Sequence, residues 1–198
     1  MIVFFILLMN AFPGILPAQS FHGGFKAGIC GSQVSGDNLE GYDKAGILFG
    51  GFVSHSLPAN FSLSFGIEYI QKGSKSTVNP DDNSFYKMRL NYVEVPLLLR
   101  WNAGAHIFFE AGPSFGVLVS SSEENQIGEF ESIPPFKKYE FSGNIGLGYS
   151  FDEHWSIEGL YNGSIIPVRP FEGSYNSNYF NRGQYNSVLE LSMIYLIK

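Results

Sequence analysis

The stretch FSLSFGIEYIQ, Phe61 to Gln71, sets Phe61, Leu63, Phe65, Ile67 and Tyr69 against Ser62, Ser64, Gly66 and Glu68. In an extended chain successive side chains point to opposite faces, so this alternation predicts a strand with one apolar and one polar side. Its length suits a tilted crossing of a bilayer. The pattern returns from Tyr139, where Phe141, Ile145, Leu147, Tyr149 and Phe151 oppose Glu140, Ser142, Asn144, Gly146, Gly148 and Ser150. It recurs with Ile107, Phe109, Phe115 and Val117 against His106, Glu110, Gly112, Ser114 and Gly116, and with Leu189, Leu191, Met193 and Tyr195 against Glu190 and Ser192.

Extending this period along the chain predicts strands at 22–34, 44–56, 60–72, 88–101, 104–118, 137–151, 154–168 and 186–197. Their connections fall into two kinds. Leu57 to Ala59, Asn102-Ala103 and Asp152-Glu153 are tight hairpins. Ser35 to Asp43, Gly73 to Lys87, Val119 to Phe136 and Arg169 to Tyr185 are long, polar and rich in Gly, Asn, Ser and Pro. Strict alternation of long and short in an up-and-down sheet sends every long loop to one end and every tight turn, with both termini, to the other. The expected fold class is all-β, an eight-stranded antiparallel up-and-down transmembrane β-barrel. Pro96 and Pro113 fall inside strands where a ladder donor is lost, so a bulge is expected near each.

Composition agrees. The 198 residues hold 23 Gly and 16% aromatics, a combination poor for helices and good for strands. A net charge of -6, with no local Lys/Arg cluster in the linear sequence, gives no phosphate-binding surface for nucleic acid. Cys30 is the one cysteine, so no internal disulfide is available. Residues 1–20 read as a signal peptide: apolar from Ile2 to Met9, broken at Asn10, Pro13 and Pro17, ending in Ala18-Gln19-Ser20. No Lys or Arg precedes the apolar run, and the expectation is a start codon further upstream. Residues 21–198 form the expected outer-membrane barrel domain, delivered to a bacterial outer membrane after cleavage of the leader.

The polar face is mostly Gly, Ser and carboxylate, which suits the crowded inside of a narrow barrel better than a solvated outside. Its titratable residues, Lys26, Glu68, Glu94, Arg100, Glu110, Glu140, Glu158 and Glu190, are expected to form a polar network filling the lumen. Phe61, Trp101, Phe151 and Trp155 sit beside tight turns on the apolar face and are expected to make a periplasmic aromatic girdle. The last long loop offers Phe171, Tyr175, Tyr179, Phe180 and Tyr185 among Asn, Ser and Gly, a candidate extracellular binding loop. Enzymatic signatures are few: no HExxH, Walker loop or CxxC occurs. His154-Trp155-Ser156 has the spacing of a lipid A deacylase fragment but lies at the wrong end of the barrel. No catalytic, metal or cofactor site is expected.

At Leu90 to Trp101, LNYVEVPLLLRW, and Phe108 to Val119, FFEAGPSFGVLV, the chain resembles the PorT-like family of outer-membrane β-barrel proteins. Tyr92, Glu94, Pro96, Leu97 and Leu98, followed by Gly112-Pro113 and Gly116, carry the resemblance. Gly28 to Gly36, Lys44-Ala45-Gly46 and Gln71-Lys72-Gly73-Ser74 add to it. It implies an OmpA-like barrel without a periplasmic domain and, by analogy with the family's name-giving member, an accessory role in protein secretion. The terminal Tyr195-Leu196-Ile197-Lys198 departs from the usual closing aromatic. The expected protein is therefore a monomeric, non-enzymatic barrel with a structural, adhesive or assembly role through its extracellular loops. Its expected partners are outer-membrane lipid and other envelope or secretion proteins. A small ion or solute channel and a soluble lipocalin-like barrel, apolar side inward, are the alternatives.

Overall fold

The computed structural model describes residues 21–37, 39, 41–78, 83–170 and 183–197. The leader and, of the candidate loop, Phe171, Tyr175, Tyr179 and Phe180 lie outside the described residues. The strands are β1 (Phe21–Ser35), β2 (Lys44–Ser56), β3 (Phe61–Lys75), β4 (Tyr86–Asn102), β5 (Ile107–Asn125), β6 (Gly128–Phe130), β7 (Tyr139–Ser150), β8 (Trp155–Ser164) and β9 (Tyr185–Ile197). Every pairing is antiparallel. The order β4-β3-β2-β1-β9-β8-β7-β5 closes through β4 and β5 into an eight-stranded barrel, and β6 is a short hairpin partner to the outer end of β5.

Closure leaves no open edge, the condition for spanning a bilayer with strands. Phe65, Ile67, Ile145 and Leu191 are each more than half exposed on the outer wall. An apolar surface running round the molecule has no place in water, but lipid solvates it. The apolar run on β3, Phe61 to Tyr69, rises roughly 20 Å if the strand tilts ~40°, close to the ~25 Å band of outer-membrane barrels. This outward apolar face is the reverse of a lipocalin. Tight turns occupy one end. Ala59 and Asn60 both take positive φ there (60° and 63°). At the Asp152 turn, the carboxylate Oδ1 accepts the backbone N–H groups of Trp155 (2.8 Å) and His154 (2.7 Å), which hold its carboxyl below the usual carboxylate range.

Three expectations need correction. The register runs unshifted past Pro96, opposite Ser114, and Pro113, opposite Gly143; the bulge lies instead at Val119, where Asn91 pairs Ser120 and Tyr92 pairs Leu118. A missing N–H removes one ladder bond and does not demand an extra residue. Next, β5 continues to Asn125 through Ser120 to Glu124, a stretch expected as loop. Above the membrane both faces of a ribbon meet water, so the ladder persists after the apolar alternation has gone. Lastly, β8 ends at Ser164, short of the expected 168. β3, β4, β5 and β6 thus stand above the rest of the wall as a ribbon.

Candidate functional site

The inward positions stack in layers. Nearest the tight turns, Arg100 Nε donates to Glu110 Oε1 at 2.5 Å across directly opposed residues of β4 and β5, with the guanidinium 3.8 Å from the Phe108 ring. Lys26 Nζ lies 3.0 Å from Glu158, 3.2 Å from Glu190 and 3.7 Å from Glu68. In the middle, Lys72, fully buried, sits 2.5 Å from Glu94 and 3.2 Å from Glu140 and donates to Asn162 Oδ1 at 2.7 Å. The Asn162 amide donates in turn to Asn144 Oδ1 at 2.8 Å and Glu94 Oε2 at 3.2 Å, while Ser142 and Ser164 donate to Glu140 at 3.1 and 2.5 Å. Each cation thus serves two or three carboxylates. In a low-dielectric interior such sharing is what makes buried charge tolerable.

Above these ionic layers the lumen turns apolar. Val34, Leu48, Ile70, Met88, Leu90, Tyr92 and Val188 pack together with Cys30, and Tyr86, Leu118 and Phe136 cover them. The polar lumen expected from the sequence is therefore only its inner and middle part. A cavity of about 40 Å³ lies between Lys26, Glu68, Arg100 and Glu158, room for a few waters at most. A wider hollow of about 230 Å³ opens at the tight-turn end among Ser54, Ser62, Ser64, Ser150, Ser156 and Arg100. Inward glycines make the packing possible; a Cβ on Gly148 would strike the Phe108 ring.

At the opposite mouth Arg169, in the loop after β8, makes a bidentate pair with Glu123 (Nη1 to Oε1 2.9 Å, Nη2 to Oε2 2.8 Å). Its Nε donates to the Pro134 carbonyl at 2.6 Å and its plane lies 4.4 Å from the Phe136 ring. Tyr86 also donates to Glu123. Two loops and the β4–β5 ribbon thereby meet on one carboxylate.

All eight residues read as lumenal, Lys26, Glu68, Glu94, Arg100, Glu110, Glu140, Glu158 and Glu190, are brought together inside the wall. Lys72, Asn162, Glu123 and Arg169 were not expected there. Carrying the β3 alternation past Tyr69 would have found Lys72; the bulge at Val119, which reverses the facing of Glu123, leaves no linear signal. Outside, Trp101 lies beside Phe109 (6.0 Å), Trp155 beside Tyr195 (4.9 Å), and Phe151 beside Tyr149 (5.6 Å), while Phe61 pairs in register with Trp101. Tyr185 opens β9 opposite Ser35. His154 Nδ1 contacts the Leu196 carbonyl at 3.0 Å, and the Ser156 hydroxyl bonds Ser150 at 3.0 Å, so the two are engaged separately.

The barrel superposes on Ail, the attachment invasion locus protein of Yersinia pestis, with a TM-score of 0.54 at 11% identity, covering 89% of this chain and 98% of Ail. Ail in complex with the heparin analogue sucrose octasulfate gives 0.52 at 13% identity, covering 90% and 99%. Neisserial surface protein A gives 0.50 at 11%, covering 88% and 96%. No curated protein matches the chain. Residues 17–169 match the family described as outer membrane protein beta-barrel domain. With its closed antiparallel wall and lipid-facing apolar belt, the chain belongs to that outer-membrane β-barrel family.

Proposed function

We propose that this outer-membrane barrel is non-enzymatic and works through the surface it presents at its long-loop end, as an adhesive or assembly element. The observation that carries the reading is the stopped lumen: ion pairs around Lys26 and Lys72 fill the inner and middle layers, and an apolar core fills the layer above. A filled eight-stranded barrel leaves little for the interior to transport. The braced mouth, with Arg169, Glu123 and Phe136 fixing loops to a protruding ribbon, supplies a rigid platform there. The same scaffold carries an attachment protein in Ail, which supports only that the fold can host such a surface.

The test is attachment by beads bearing the reconstituted barrel, compared with a variant in which residues 126–136 are replaced by a short turn, on protein- and glycan-coated surfaces. Attachment should depend on the ribbon; equal attachment by the two would defeat the proposal. Planar-bilayer recordings should be silent, and discrete conductance steps would favour the channel instead. A second reading, an accessory part in protein secretion, is favoured by the PorT-like LNYVEVPLLLRW segment, Leu90 to Trp101. Deleting the gene and measuring secreted cargo decides it, with unchanged secretion removing the idea.

A further inference from the structure

All four histidines of the chain lie toward the tight-turn end: His22 in β1, His55 in β2, and His106 and His154 closing the turns before β5 and β8. The last two are held in the same way. The backbone carbonyl of His106 accepts the N–H of Ser150 at 2.7 Å, while its Nδ1 meets the Ser150 carbonyl at 2.9 Å. Its ring stacks on Tyr149, 5.3 Å between centroids and 17° between planes. At the next hairpin but one, His154 repeats every contact. Its carbonyl accepts the N–H of Leu196 at 2.8 Å, its Nδ1 meets the Leu196 carbonyl at 3.0 Å, and its ring stacks on Tyr195 at 5.7 Å and 22°. Each imidazole thus clamps the residue that follows an outward tyrosine on the neighbouring strand.

The clamp fixes what the rest of the ring can do. A carbonyl oxygen only accepts, so Nδ1 of each ring carries the proton, and Nε2 of the neutral ring is left as an acceptor. Both residues are exposed, just beyond the outward Trp101, Phe151 and Trp155, which places them among the inner-leaflet headgroups. The charged residues of the tight turns are Asp152 and Glu153, and Asp152 is near enough to His154 to interact with it. The lysines and arginines among the described residues lie in the lumen or toward the long-loop end; Lys198, next to Ile197, is outside the described residues. The rim therefore offers acceptors and negative charge. A lipid phosphate is itself an acceptor and an anion, whereas a primary ammonium brings both N–H donors and positive charge.

We propose that His106 and His154, the second with Asp152 beside it, form two sites on the periplasmic rim for the primary ammonium of an inner-leaflet aminophospholipid. The twofold recurrence of one clamp, on separate pairs of strands, is what singles these rings out: His22 lines the lumenal hollow, and His55 stacks on Phe21 with its Nδ1 lacking a hydrogen-bond partner among the described residues. The sites are independent of the adhesive reading, since they concern the opposite end of the barrel.

Quenching of tryptophan fluorescence by acyl-brominated lipid tests it, because both tryptophans of the chain, Trp101 and Trp155, lie at this end. The barrel is reconstituted in mixed vesicles of phosphatidylethanolamine and phosphatidylcholine, with bromine on one lipid or the other. Phosphatidylcholine carries a quaternary ammonium without N–H, so phosphatidylethanolamine should be preferred about fivefold at about pH 8, the effect of one modest hydrogen bond. The preference should vanish in His106→Phe/His154→Phe, which keeps the stacked rings and removes the nitrogens. It should vanish also in the parent at about pH 5, where a protonated ring has no acceptor left, while His55→Phe retains it. Equal quenching by the two lipids at the higher pH would overturn the proposal, as would a preference that survives in the double variant. Its loss in His55→Phe would do the same, by assigning the preference to the aromatic girdle. The heat-dependent gel shift of each variant shows that it has folded.

Discussion

Lys72 is the side chain on which the middle of the barrel depends. It is fully buried, and without it Glu94, Glu140 and the Asn162 oxygen lose the charge that holds them. Removing one partner of a buried ion pair strands the other, so Lys72→Met should cost about 3–5 kcal/mol. Urea unfolding in lipid vesicles measures it, and adding Glu94→Gln and Glu140→Gln should recover a large part of the loss. Were the single variant as stable as the parent, the interior would have to be hydrated and mobile. Gly148 makes a packing argument of the same size. Alanine there pushes on Phe108, which underlies the Arg100 guanidinium, and overpacking should cost about 1–3 kcal/mol in the same assay.

Among the elements, the β3–β6 ribbon is held upright by side chains from outside itself. Arg169 reaches Glu123 from the loop after β8 and in turn holds the Pro134 carbonyl and the Phe136 ring of the loop before β7. Arg169→Ala leaves Glu123 with Tyr86 and Ser132 and frees the Pro134 carbonyl and the Phe136 ring from the guanidinium. Added protease on intact cells should then cut within 131–138 and 165–184 faster, while the barrel keeps its heat-dependent gel mobility because the ladder below is untouched. Unchanged cutting would mean that the ladder by itself fixes the ribbon. The bulge at Val119 belongs to the same scale: by inserting one residue it turns Glu123 inward, where the Arg169 bond can form.

For the whole molecule the prediction is direction in the membrane. Ile127, 88% exposed at the tip of the β5–β6 hairpin, and Ala105, exposed in a tight turn, mark the two ends. Ile127→Cys should react with a membrane-impermeant maleimide on intact cells, and Ala105→Cys only after the envelope is opened. The native Cys30 is buried and should contribute little background. Reaction of both cysteines on intact cells would contradict the assigned orientation.

The linear sequence determined the number of barrel strands, their alternating loop lengths and which face meets lipid, because a strand in a bilayer must show period two over its whole crossing. It also carried the eight titratable residues that meet inside, since each follows that period from its apolar neighbours. Tertiary structure alone decided who pairs with whom: Lys26 and Glu190 are brought together from opposite ends of the chain by closure of the barrel, and Lys72 finds Glu140 across the lumen. It also decided where the lumen becomes apolar, where the register slips, and how far the ribbon rises. These depend on the space left between strands and on the change of solvent at the membrane edge, and neither is written in the alternation of one strand.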